Sequence, residues 1–81
     1  MNMDDKNNLI TLMTEALPVL RASLNITQEQ LAEEVGMTRQ TVTRIENNKT
    51  KMTWLMFTAL YLFFLSKEKS NELLKVYNII L

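Results

Sequence analysis

The 81-residue sequence has no cysteine and no histidine, and it has one glycine and one proline. Without cysteine, the chain has neither disulfides nor cysteine-ligated metal sites. Without histidine, it lacks the commonest general base and the commonest metal ligand of proteins. It also has no glycine-rich phosphate loop and no carboxylates at metal-ligand spacing. We therefore expect a protein that is not an enzyme and that has no cofactor and no metal site.

Helix-breaking residues are scarce, and apolar residues recur at spacings of three and four, the period of an α-helix. We expect an all-α fold in a single domain over residues 1–81, with its core in 20–65. The first helix is expected to begin after Asp4 or Asp5. Pro18 should kink or break it near Ala16 or Leu17, because proline lacks an amide hydrogen and disfavours helical geometry before it.

Capping residues predict where the later helices begin and end. Thr27 followed by Gln30 matches a capping box, in which each side chain bonds the other's backbone amide. Gly36, the only glycine, is expected to end that helix in the left-handed conformation. Further helices are predicted from the cap at Thr38 to Asn47, with a left-handed Asn48 after it, from the cap at Thr53 to Leu65, and over 71–81.

The helix after Thr38 has two different sides. Val42, Ile45 and Glu46 share one side by helical spacing. The other side carries guanidinium, amide and hydroxyl groups, which can bond base edges in the major groove of DNA. Its residues are Arg39, Gln40, Thr43, Arg44 and Asn47. An ordinary solvated helix surface would show a similar pattern.

The charge distribution is uneven although the net charge is zero. Zero net charge is unfavourable for a nucleic-acid binder, because affinity depends on cations that neutralise phosphates. The segment 38–51, however, has four cations and only one acidic residue, Glu46. We therefore expect one basic face on an otherwise neutral protein.

The stretch "TQEQLAEEVGMTRQTVTRIENNKT" resembles the helix-turn-helix of the phage repressor and Cro-like family, also called the XRE family. The resemblance is specific from about Leu20 to Lys51 and weak outside it. Asn48 stands where the family usually has glycine. The residues that carry the resemblance are Gln28, Leu31, Ala32, Val35, Gly36, Val42, Ile45, Glu46, Asn47 and Lys49.

The resemblance implies a compact five-helix bundle of the lambda-repressor-like type, with its helix-turn-helix at about 28–47, that binds operator DNA. We expect base contacts from Arg39, Gln40, Thr43 and Arg44. We expect phosphate contacts from Gln28, Thr38, Asn47, Lys49 and Lys51. Gly36 would form the turn, and Arg21 would pair with Glu46, as in the family. The alternative for Glu46 is a solvated helix end, but its place beside the inward Ile45 favours a buried partner.

The run "WLMFTALYLFFL" is apolar on nearly every side. It is too short for a membrane span, which needs roughly 20 residues. The last helix is expected to cover it, either within the monomer or in a homodimer. For the dimer, which is common in the family, the fourth and fifth helices are expected to form the interface, and the predicted interface residues are Leu73, Leu74, Tyr77, Ile80 and Leu81.

These patterns predict a sequence-specific regulator of transcription that binds double-stranded DNA. We expect a repressor that acts as a homodimer on a palindromic operator through the major groove. The alternative is a protein-interaction module or an antitoxin component, with a small protein partner. The polar start "MNMDDKNN" is unlike a signal peptide, so we expect a cytoplasmic protein with no membrane contact.

Overall fold

A computed structural model describes residues 1–81 and shows five α-helices and no strand. The all-α, five-helix prediction is therefore confirmed. The helices form a unit of 31 × 28 × 18 Å. They are α1 (Met3–Leu24), α2 (Gln28–Val35), α3 (Arg39–Glu46), α4 (Trp54–Leu65) and α5 (Glu68–Val76).

The start of α1 differs from the prediction. The N-cap is Asn2, whose side-chain oxygen accepts a 2.8 Å hydrogen bond from the amide of Asp5. Asp4 and Asp5 lie inside the first turn instead of before it. Their carboxylates are favourable there, because the N-terminal end of a helix carries a partial positive charge.

The predicted break at Pro18 is wrong, because α1 is continuous to Leu24. Pro18 lies on the exposed side of the helix. Ala16, Leu17 and Leu20 lie on the other side and are buried in the core. Their burial stabilises the helix through the position where proline removes a backbone hydrogen bond.

One hydrophobic core joins all five helices, and it extends beyond 20–65 at both ends. Core packing fixes α2 and α3 relative to α1, since both short helices bury apolar residues in the same cluster. The sixteen core residues are Leu9, Ile10, Met13, Ala16, Leu17, Leu20, Leu31, Ala32, Val42, Ile45, Met52, Phe57, Leu60, Phe64, Leu74 and Ile79.

The last helix is shorter and earlier than predicted. It begins at Glu68 and ends at Val76 instead of covering 71–81. Ser70 fixes its start, because the buried hydroxyl donates a 2.7 Å hydrogen bond to the carbonyl of Phe64 at the end of α4. After Val76 the chain turns through Asn78, which has a φ of 60°. The turn returns Ile79 to the core, where its amide donates to the carbonyl of Leu74.

One predicted interface residue at this end of the chain is wrong. Leu74 is fully buried in the core, so it is not available to a partner. Leu73 and Tyr77 are half-buried, whereas Ile80 and Leu81 are exposed.

No single helix of the protein is both long and apolar enough to cross a membrane. The two helices α1 and α2 meet that criterion only when taken together, and they are bent by 101° at their junction.

Candidate nucleic-acid interface

The turn between α2 and α3 is set by caps on both of its sides. Thr27 and Gln30 form the predicted capping box at the start of α2, with hydrogen bonds of 3.0 and 2.9 Å. Gly36 ends α2 with a φ of 73°, in the left-handed region. A Cβ built on Gly36 would have no neighbour within 4 Å. The turn therefore needs glycine for its backbone conformation and not for lack of space.

The first turn of α3 is closed by Thr38. Its hydroxyl oxygen accepts from the amide of Thr41, and the two threonine hydroxyls share a 2.8 Å hydrogen bond. The helix ends at Asn47, and Asn48 follows in the left-handed conformation with a φ of 58°. Both ends of α3 thus have capping hydrogen bonds within the protein, which hold the short helix in place.

The two sides of α3 have the burial that the helical spacing predicts. Val42 and Ile45 are fully buried. Arg39, Gln40 and Arg44 are exposed. Two guanidinium groups and one primary amide therefore point outward from a helix whose opposite side is anchored in the core.

Arg21 and Glu46 form a two-pronged ion pair under α3. Nε of Arg21 lies 2.7 Å from one carboxylate oxygen of Glu46, and Nη2 lies 2.9 Å from the other. A third guanidinium nitrogen donates to the carbonyl of Ile26. The side chains are only 20% and 6% exposed, respectively. The hydrogen bond to Glu46 raises the pKa of Arg21, although burial acts in the opposite direction.

This ion pair continues to the outer side of α3 through Gln28. The side-chain nitrogen of Gln28 donates a 3.0 Å hydrogen bond to Glu46. The hydroxyl of Thr43 donates a 2.6 Å hydrogen bond to the side-chain oxygen of Gln28. Gln28 and Thr43, both expected to contact DNA, are thus half-buried and bonded to each other. We call the four residues Arg21, Glu46, Gln28 and Thr43 the α3 anchor.

The remaining predicted residues lie on the segment after α3. Asn47, Lys49 and Lys51 are all exposed. Lys51 donates a 3.0 Å hydrogen bond to the side chain of Asn7 on α1. The segment therefore presents two ammonium groups on either side of Thr50, whose hydroxyl accepts a hydrogen bond from Arg44.

Two supporting residues are absent from the sequence predictions. Thr50 accepts a 3.0 Å hydrogen bond from Nε of Arg44, and Asn7 accepts the bond from Lys51. Asn7 lies 44 positions before Lys51, so no local pattern could have joined them. Thr50 is only six positions after Arg44, and a left-handed Asn48 between them is the one signal that the chain turns back there.

Comparison with known families agrees with this geometry. A helix-turn-helix family model matches residues 20–53. Residues 20–53 are similar to the Cro/C1-type helix-turn-helix of the XRE family. The matched segment runs from the end of α1 to the cap of α4, so it includes the turn at Gly36, all of α3 and the α3 anchor.

The Cro/C1-type helix-turn-helix makes the protein a DNA-binding regulator whose target is double-stranded DNA. The fold is of the lambda-repressor-like type. No curated protein and no solved structure matches the chain.

Proposed function

We propose that the protein is a transcriptional repressor that binds a palindromic operator as a homodimer, with α3 in the major groove. The exposed row of Arg39, Gln40 and Arg44 on a core-anchored helix is the observation that carries the proposal. Arginine bonds guanine O6 and N7 with two hydrogen bonds, and glutamine bonds adenine N6 and N7 in the same way. Thr43 contributes its methyl group to a thymine methyl, because its hydroxyl hydrogen is donated to Gln28.

Phosphate contacts position α3 in this proposal. Asn47, Lys49 and Lys51 are exposed beside α3 and reach the backbone of the DNA. The side-chain amide nitrogen of Gln28 carries two hydrogens. One is donated in the hydrogen bond to Glu46, and in this proposal the other is donated to a phosphate. Thr38 stands at the N-terminus of α3, where backbone amides and the helix dipole attract a phosphate.

Base reading is tested by selection from a random DNA duplex pool at about 0.15 M salt. The wild-type protein is expected to enrich a palindrome. The Arg39→Ala, Gln40→Ala double variant is expected to lose it, and Arg39→Ala alone to cost about 1–3 kcal/mol and relax one base position. Lys69→Ala, which removes an exposed cation from α5, is the matched control and should select the same palindrome. Selection of the same palindrome by the double variant would show that Arg39 and Gln40 of α3 do not read bases.

Phosphate contact is tested by the salt dependence of DNA binding. Lys49→Ala should weaken binding to all sequences alike. It should also reduce the slope of log affinity against log salt by about 1, because one fewer counterion is released. Lys69→Ala should leave that slope unchanged. A Lys49→Ala slope equal to that of the wild type would place Lys49 away from the DNA.

A second candidate function is an antitoxin component or other protein-interaction module built on the same fold. Zero net charge and nine exposed large hydrophobic residues favour it. The same selection separates the two functions. If the wild type enriches no DNA sequence and a small protein co-purifies with it in a fixed ratio, the antitoxin or interaction-module function is favoured.

A further inference from the structure

The outer face of α4 is apolar and uncovered. Leu55 is 79% exposed and Leu62 is 64% exposed, although α4 packs its other face against the core. Between them on the same face lie Thr58 and Ala59, which are half-buried. The opposite face of α4 supplies core residues, so no rotation of the helix within the monomer could bury both faces.

The four positions on this face have the same spacing from either end of the helix, and both outer positions are leucine. Positions 55, 58, 59 and 62 are symmetric about a midpoint between 58 and 59. A two-fold axis through that midpoint places a second α4 antiparallel to the first. Leu55 then lies opposite the partner's Leu62, and Thr58 lies opposite the partner's Ala59. Two-fold dimers require such self-complementary surfaces.

The side chains suit a close crossing of two copies. The small residues Thr58 and Ala59 occupy the crossing point, where side-chain size sets the distance between helix axes. No residue from Trp54 to Leu65 is charged, so no charge loses its water in the contact. The helix dipoles of the two copies oppose each other, which is the favourable arrangement.

A depression beside Leu55 offers room for the partner's leucine. It measures about 370 Å³ and is more apolar than polar in its lining residues. Leu55 and Ala59 form its α4 side, and Gly36 and Met37 form the opposite side. In the antiparallel arrangement, Leu62 of the partner subunit lies over this depression. The contact therefore reaches the turn that precedes α3.

We propose that two copies of the chain dimerise through the outer face of α4, with the two-fold axis between Thr58 and Ala59. The inference rests on the homodimer of the proposed function and assigns its interface to the outer face of α4 alone, without the C-terminal segment. Stable interfaces bury about 800 Å² per partner, whereas a 12-residue helix is only about 18 Å long. We therefore expect a weak dimer in free solution that becomes stable on a palindromic site.

Sedimentation of four proteins over a concentration series, from about 1 µM to about 1 mM, tests the register. Leu55→Glu and Leu62→Lys should each shift the protein to monomer. The Leu55→Glu, Leu62→Lys double variant should regain the dimer, because each introduced carboxylate then faces an introduced ammonium group on the partner. Within one chain the two positions are about 10.5 Å apart along the helix, which is too far for an ion pair.

Val76→Glu and Ile80→Glu are the matched controls. Both replace exposed apolar residues of the C-terminal segment and should leave the dimer unchanged. Circular dichroism of every variant should match the wild type, since the replaced side chains are exposed. Loss of the dimer in Ile80→Glu but not in Leu55→Glu would overturn the α4 interface. Failure of the double variant to dimerise, with both single variants monomeric, would overturn the antiparallel register.

DNA binding by Leu55→Glu distinguishes failure of the α4 interface from failure of the proposed repressor function. Leu55→Glu should still bind a single half-site with wild-type affinity and lose affinity only for the full palindrome. If the wild type selects a palindrome and Leu55→Glu is still a dimer, the α4 interface is rejected and the proposed function is kept. A wild-type protein that remains monomeric and selects an asymmetric site would reject both.

Discussion

Replacing Glu46 by alanine is expected to lower the free energy of unfolding by about 3–5 kcal/mol, which is the usual cost of breaking a buried ion pair from one side. The Glu46 side chain is 6% exposed and accepts hydrogen bonds from Arg21 and Gln28. The variant would leave the guanidinium of Arg21 mostly buried with only the carbonyl of Ile26 as a partner. A domain of this size has a total stability of about 5–15 kcal/mol, so the variant should be close to unfolding.

Denaturant unfolding measures the effect, with Glu34→Ala as the matched control. Glu34 is an exposed glutamate of α2, and its replacement should change stability by no more than about 0.5 kcal/mol. The Arg21→Ala, Glu46→Ala double variant should be less unstable than the sum of the two single variants, because it leaves no unpaired buried charge. Equal stability of Glu46→Ala and Glu34→Ala would contradict the buried pair, as would strict additivity.

The α3 anchor connects stability to DNA binding. The ion pair below α3 holds Gln28, and Gln28 holds Thr43 on the side that faces DNA in the proposal. These bonds fix two of the proposed contact residues before the DNA arrives, which reduces the entropy lost on binding. The exposed arginines have less support, since Arg44 bonds only to the exposed Thr50. We therefore regard Thr43 as a fixed contact and Arg39 and Arg44 as adaptable ones.

The ends of α2, α3 and α4 could be predicted from the sequence because their caps are local. Thr27 with Gln30, Gly36 and Thr53 each act within about four residues of their own position, and each lies where the sequence predicts. The inner side of α3 was also predictable, because Val42 and Ile45 are its only large apolar residues. Local chemistry therefore accounts for the helix-turn-helix, including the conformation of its single glycine.

Packing between distant segments could not be predicted in this way. Every position of α4 but Thr58 is apolar, so no periodicity separates the buried Phe57 from the exposed Leu55. The bond between Gln28 and Thr43 joins residues 15 positions apart, and it depends on the angle between α2 and α3. The C-terminal helix ends earlier than predicted because Ile79 returns to the core. Most residues of that core belong to other helices, so the C-terminal segment alone does not show where the chain turns.

Pro18→Ala is expected to raise the free energy of unfolding by about 2 kcal/mol. Proline in a helix interior costs about 3 kcal/mol relative to alanine, because it removes the amide that would bond the carbonyl of Thr14. About 1 kcal/mol of the gain is offset, since alanine gives the unfolded chain more conformational freedom. The side chain at position 18 is exposed, so its removal leaves no cavity in the core.

Thermal unfolding measures this change, and a gain of about 2 kcal/mol corresponds to a rise of about 8–16 °C in Tm for a domain of this size. Val19→Ala, at the adjacent exposed position, is the matched control and should shift Tm far less. A rise confined to Pro18→Ala would show that burial of Leu17 and Leu20 maintains α1 against the proline. A fall would mean that the core depends on proline geometry in α1, because only a changed path of that helix could then disturb the buried side.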